Sequence, residues 1–326
     1  MDYPDIYYYP PYLELFERSL CGKATLYRHC SALGEVCYAF HLRPVEIGGM
    51  RKDCFDTITP HSYGGPVITK CVPGEEADLM REFNAAFSQY CQDQRIVSEF
   101  IRFHPVLKNV IYCKEIYSAT QVGHTVAIDL LVDDLFLNSF TRRCRQNIRS
   151  ARKQGVEIVF DFSCETIANF KHLYTLTMQK NSAADYYYFS DDFFLESVKN
   201  LKNQLFIVNA VFDKRIVGAA MFLCHEKYLH YHLSSTHPDY YSLSSSYLVQ
   251  SEVAQWGKNN GFSTFHLGGG LETLLFFKRS FVKEGGLCDL WIGKKIRNQD
   301  LYDRLVEEAT LKGTIDKPDF FPLYRG

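Results

Sequence analysis

Apolar residues recur along this chain at two periods, and the period switches several times. In PGEEADLMREFNAAFSQYCQDQ, residues Leu79, Phe83, Ala86, Phe87 and Tyr90 fall at helical spacing, which predicts an amphipathic helix. Ahead of it, ATLYRHCSALGEVCYAFHLR holds two strand-like runs around the turn SALGE and predicts a hairpin. PPYLELFERSL predicts a short helix opened by proline. FDTITPHSYGGPVIT carries turn signals at Pro60, Gly64, Gly65 and Pro66, while RIVSEFIRF and HTVAIDLLV read as strands.

The second half repeats this order. KNQLFIVNAVFDKRIVGAAMFLC predicts a hairpin around FDKR, and KYLHYHLSST a third strand. SSSYLVQSEVAQWGKNNG predicts a helix between a serine cap and a glycine stop. FSTFHLGGG and LCDLWIGKKI are two further strands. Hairpin, strand, helix, strand, strand occurs twice, which predicts two copies of one α/β fold. The expected division is 1–140 and 156–326, joined by a basic helix over 141–155.

That helix, in FTRRCRQNIRSARKQG, places Arg142, Arg145, Arg149, Arg152 and Lys153 at i, i+3, i+7, i+10 and i+11, so they share one face. Cys144, Ile148 and Ala151 form the opposing apolar stripe. Guanidinium groups so arrayed suit phosphate; the alternative is a solvated face.

Charge narrows the partners. Lys+Arg number 36 and Asp+Glu 38 in 326 residues, a formal net charge of -2. No global field draws the protein to nucleic acid, DNA is not an expected partner, and any RNA contact is local. The 11 cysteines include no CxxC pair and no Cys/His cluster with zinc spacing, so no metal site is expected. MDYPDIYYYPPYLELF carries acids and prolines where a signal peptide is basic and apolar, and no run of 18 apolar residues occurs. The expectation is a cytoplasmic protein without a transmembrane segment.

Chemistry concentrates in HLGGGLETLLFFKRSF. Gly268, Gly269 and Gly270 either let backbone approach a ligand or make a tight turn. Lys278, among Phe276, Phe277 and Phe281, either snorkels or is a charge placed for chemistry. No GxSxG elbow and no diagnostic Cys–His spacing supplies a nucleophile. Glu99, Arg102 and His104 read as structural groups stitching the halves together, and Asp56 as a turn-stabilising acid.

SYGGPV, IVSEFIRFHPVLKN, TVAIDL, RRCRQNIRSARKQGVEI and LGGGLETLLFFKRSF occur in this order, and together they resemble the FemABX-type members of the GNAT superfamily. The resemblance implies tandem duplicated GNAT-like domains with mixed sheets flanked by helices. It implies an N-acyltransferase that moves an amino acid from aminoacyl-tRNA to an amine of a peptidoglycan precursor, as in the lipid II:glycine glycyltransferase type, or of another envelope or specialised metabolite. Phe277 and Lys278 match the family's active-site Phe-Lys pair. Lys180 stands where relatives that bind a nucleotide-linked sugar peptide use arginine. A substrate-binding tyrosine matches the run Tyr186 to Tyr188, with Tyr187 at its centre the candidate, and Tyr231 matches another. Tyr63, with Gly268 and Gly269, completes the expected substrate-binding set. On this reading Arg142, Arg145, Arg149 and Arg152 bind tRNA.

No tightly bound cofactor is implied, and the acyl donor has an alternative in acyl-CoA. GNAT enzymes hold the pyrophosphate of acyl-CoA on a [QR]-x-x-G-x-[GA] loop that opens a helix. Here HPDYYSLSSSYL has no glycine, and HSYGGPVIT breaks the pattern with proline. A non-catalytic ligand-binding duplicate is the further alternative.

Overall fold

The computed structural model describes residues 3–180 and 187–326, so Tyr186 lies outside the described residues. The chain forms two compact units, Met1–Gly123 with Asp289–Gly326, and His124–Cys288.

The first unit opens with the helices α1 (Pro10–Glu14) and α2 (Glu17–Leu20). Four strands follow: β1 (Lys23–Cys30), β2 (Gly34–Ile47), β3 (Met50–Ile58) and β4 (Val67–Cys71). Then come α3 (Glu76–Asp93) and β5 (Ile96–Arg102). Ser31 and Gly34 exchange backbone hydrogen bonds at the predicted first turn. The β2–β3 turn is Gly48-Gly49, at φ +57° and +75°, a left-handed pair that glycine adopts without a Cβ clash. β1, β2 and β3 are antiparallel, and β5 joins β3 in parallel after the α3 crossover. Leu79, Phe83 and Phe87 of α3 pack on Tyr38 and Phe40 of β2, as their spacing predicts.

The second unit takes up β6 (Thr120–Asp129) from His124 onward. It continues with α4 (Arg142–Lys153), β7 (Glu157–Asp161), α5 (Ile167–Lys180) and α6 (Asp191–Leu201). Next are β8 (Leu205–Phe212), β9 (Arg215–His225), β10 (Tyr228–Thr236), α7 (Ser245–Asn259), β11 (Thr264–Gly268) and α8 (Glu272–Arg279). Its strands lie in the order β6-β11-β10-β9-β8-β7. β8, β9 and β10 are antiparallel and β11 joins β10 in parallel after α7, which repeats the first unit's β1-β2-β3-α3-β5 pattern. The fold is a tandem GNAT-like α/β arrangement.

The chain then leaves the second unit through β12 (Leu287–Ile296), which pairs with β5. α9 (Gln299–Leu311) packs Tyr302, Leu305 and Ala309 on Val45, Ile47, Cys54 and Val97. The boundaries therefore stand at other places than 140/141 and 155/156, because the C-terminal apolar face is buried by the first unit. The basic helix α4 lies wholly within the second unit. Its stripe of Cys144, Ile148 and Ala151 is fully buried in that unit's core, and Ile148 alone contributes about 1.5–3 kcal/mol by burial.

Two polar readings change. Asp56 does not brace a turn; it is fully buried in β3, between Arg43 at 2.7 Å and Arg325 at 2.5 Å. Glu99, also fully buried, accepts from Arg297 at 2.5 Å and Tyr38 at 3.0 Å, all within the first unit. Among the described residues no helix is long and apolar enough to cross a membrane.

Candidate active site around Lys278

The site grows from the end of a strand pairing. β10 and β11 pair only from Tyr228↔Thr264 to His230↔His266, so Tyr231 is the first residue of β10 beyond the pairing. There β10 also shifts register against β9, between Tyr231 and Leu233. At the end of β11, Gly268 turns the chain at φ +74° and Gly270 continues at φ +145°. A Cβ on Gly270 would meet Leu274 at 2.7 Å, so the turn that launches α8 requires glycine.

Leu274 and Phe276 of α8, and Leu271 just before it, are exposed, whereas Lys278, in the last turn, is 6% exposed. The Lys278 Nζ donates to the Gly269 carbonyl at 2.5 Å and lies 5.4 Å from the centroid of the Tyr231 ring. Burial disfavours the ammonium and lowers the Lys278 pKa to about 7. The carbonyl and the negative ring face favour the charged form, and so does the helix C-terminus. Lys278 therefore gives up its proton far more readily than an exposed lysine. It does not snorkel.

Phe277 anchors this lysine. Its ring lies edge-on to Tyr247 at 4.8 Å and to Phe281 at 5.3 Å. The far end of α8 is tied to the start of α4: the Thr141 hydroxyl and N–H both donate to the Ser280 carbonyl at 2.9 Å, and the Ser139 hydroxyl to that of Phe281 at 2.8 Å. The Arg143 guanidinium sits 5.1 Å over the Phe276 ring.

The structure thus brings together Lys278, Phe277, Gly268, Gly269 and Tyr231 from the predicted set. Lys180 and Tyr187 hold other partners. Lys180 Nζ lies 4.1 Å over the Tyr241 ring, and the Tyr187 carbonyl accepts from the Tyr174 hydroxyl at 3.0 Å. Tyr63 belongs to the first unit, edge-on to Tyr7 at 5.6 Å. The Tyr231 hydroxyl does not point to open groove: it donates to Ser234 at 2.5 Å, and burial raises its pKa to about 12.

The arginine face is only partly free for phosphate. Arg145 donates to the Phe140 carbonyl at 2.5 Å, and Arg152 pairs with Glu252 at 2.6 Å. Arg149 lies 5.2 Å over the half-buried Phe136 ring, and Arg142 and Arg149 are exposed. Arg143, outside the predicted stripe, is the arginine nearest α8 in these contacts. Its one sequence signal was adjacency to Arg142; only packing puts it on Phe276. Tyr247 was hidden likewise, since an aromatic in an amphipathic helix reads as core.

Residues 138–279 match the family model described as an acetyltransferase (GNAT) domain. That span runs from before α4 through Lys278. Across the chain, the crystal structure of FemX superposes with a TM-score of 0.70 at 12% identity, covering 90% of this chain and 92% of that one. The C-terminal domain (DUF2156) of a putative lysylphosphatidylglycerol synthetase from Agrobacterium fabrum gives 0.54 at 14% identity, covering 89% of each chain. L-PGS from Bacillus licheniformis gives 0.52 at 14%, covering 92% of this chain and 96% of that one. No curated protein matches the sequence. The family match thus lies within the second unit, and the chain as a whole shares the fold of FemX.

Proposed function

We propose that this protein is an N-acyltransferase that joins an acyl group to an amine, with aminoacyl-tRNA as donor and an amine of a cell-envelope precursor or similar metabolite as acceptor. The observation that carries the reading is the buried Lys278 ammonium at the end of the β10–β11 pairing, within the span that matches the GNAT domain. The acceptor amine attacks the acyl carbonyl directly, forming the C–N bond. The carbonyl oxygen takes up negative charge, and Lys278, in its ammonium form, donates to it. The intermediate then collapses, expelling the 3′ ribose oxygen of the tRNA, and the amine proton leaves with it or to solvent. A preorganised donor of this kind is worth about 3–4 kcal/mol of barrier.

The donor choice draws support from the loop before α7. The N–H groups of Tyr240, Ser244 and Tyr247 bond to carbonyls of His237, Tyr241 and Ser244. They are spent locally instead of facing a pyrophosphate. The exposed Arg142 and Arg149 beside the start of the site supply a local phosphate-binding face.

The test incubates the purified protein with radiolabelled aminoacyl-tRNA or acetyl-CoA and a panel of amine acceptors. Transfer from aminoacyl-tRNA alone upholds the reading. Turnover with acetyl-CoA and none with any aminoacyl-tRNA selects the acyl-CoA alternative.

A further inference from the structure

The serine run that replaces a glycine cradle leads into a small polar pocket between α7 and strands β9 and β10. Gly218, Tyr231, Ser235, Ser245 and Gln250 line it, around a free space of about 10 Å³. Ser235, Ser245 and Gln250 are 6%, 2% and 1% exposed. Both serine hydroxyls and both amide atoms of Gln250 make no hydrogen bond among the described residues. Folded proteins rarely keep several such atoms together without a partner.

The space matches one water and nothing larger. A water brings two donors and two acceptors, enough to serve two hydroxyls and one amide. Gly218 keeps the room open: a Cβ there would lie 3.4 Å from Ser245 Oγ, Thr236 Oγ1 and the Ser235 carbonyl, a contact alanine tolerates. Gln250 is also the link to Lys278. It lines the same small pocket as Tyr231, and the Tyr231 ring faces Lys278.

We propose that this pocket binds one ordered water held by Ser235, Ser245 and Gln250, and that Gln250, so fixed, is a positioning residue that holds Tyr231 against Lys278. The second half rests on the role given to Lys278 above, but its test needs no turnover.

The experiment compares wild type with Gly218→Ala and Gly218→Ser by melting temperature and by NMR titration of Lys278 in lysine-labelled protein. The alanine methyl expels the water and leaves the polar atoms unpaired. Gly218→Ala should lower Tm by several degrees and move the Lys278 midpoint downward by roughly half a pH unit or more as Tyr231 loosens and its ring face no longer favours the ammonium. Gly218→Ser, whose hydroxyl replaces the water, should restore both. Unchanged Tm and midpoint in Gly218→Ala overturn the proposal. A fallen Tm with an unmoved midpoint upholds the water and overturns the positioning. Should the alanine variant not fold, a high-resolution wild-type crystal structure decides: density bonded to Ser235, Ser245 and Gln250 upholds the site, and a dry pocket overturns it.

Discussion

The Lys278 ammonium donates to the carbonyl of Gly269, 2.5 Å away, so the glycine turn and the catalytic candidate are one device. The turn needs glycine to reverse the chain into α8, and the reversal is what lets a lysine nine residues on reach back to it.

Lys278→Ala removes the donor and leaves the helix. Its kcat should fall about 100- to 1000-fold, with KM for the donor little changed. Steady-state kinetics check this; undiminished turnover removes Lys278 from the mechanism.

The pKa of about 7 gives the rate a sign. An oxyanion donor acts as ammonium, so kcat should be full below about pH 7 and decline as pH rises through it. A pH–rate profile rising through the same point would assign Lys278 instead as a neutral base for the acceptor amine.

Stability should respond in the opposite sense. Burial lowers this lysine from its ordinary 10.5, so keeping it charged opposes folding. That penalty is complete below about pH 7 and fades as pH climbs toward 10.5. Lys278→Met should therefore stabilise the protein by about 2–4 kcal/mol at pH 6 and by much less at pH 10. Urea melts at both pH values measure it; equal gains would mean that the lysine is not buried in solution.

The arginines of α4 should separate into two kinds. Arg142→Glu and Arg149→Glu should each weaken tRNA binding and flatten its log–log salt dependence by about 1, with Tm unchanged. Arg145→Ala should cost about 1–2 kcal/mol of stability, because the Phe140 carbonyl loses its donor. Filter binding across a salt series, paired with melts, distinguishes them.

In the first unit, Arg297→Leu should destabilise by about 3–5 kcal/mol, since it leaves Glu99 fully buried without its cation. Arg297→Leu combined with Glu99→Gln should recover part of that loss. Denaturant melts of both variants check it.

Sequence alone determined the elements and their doubling. The period of Leu79, Phe83 and Phe87 made α3, and the opposed faces of 142–153 made α4, because helical spacing sorts apolar from charged side chains without reference to any partner. The Phe277-Lys278 pair was legible as unusual, since a lysine among phenylalanines has few cheap explanations. Tertiary structure decided what each charge does. Arg145 and Arg152 share a face with Arg149, yet a nearby carbonyl and Glu252 claim them, and periodicity carries no information about such partners. Asp56 and Glu99 each found an arginine, Arg325 and Arg297, across more than 190 residues of chain, in a C-terminal segment that folds back on the first unit. The lysine's burial, and with it the pKa that gives the rate its sign, likewise came from packing: Gly269, Tyr231 and Phe277 converge only once β10 and β11 part.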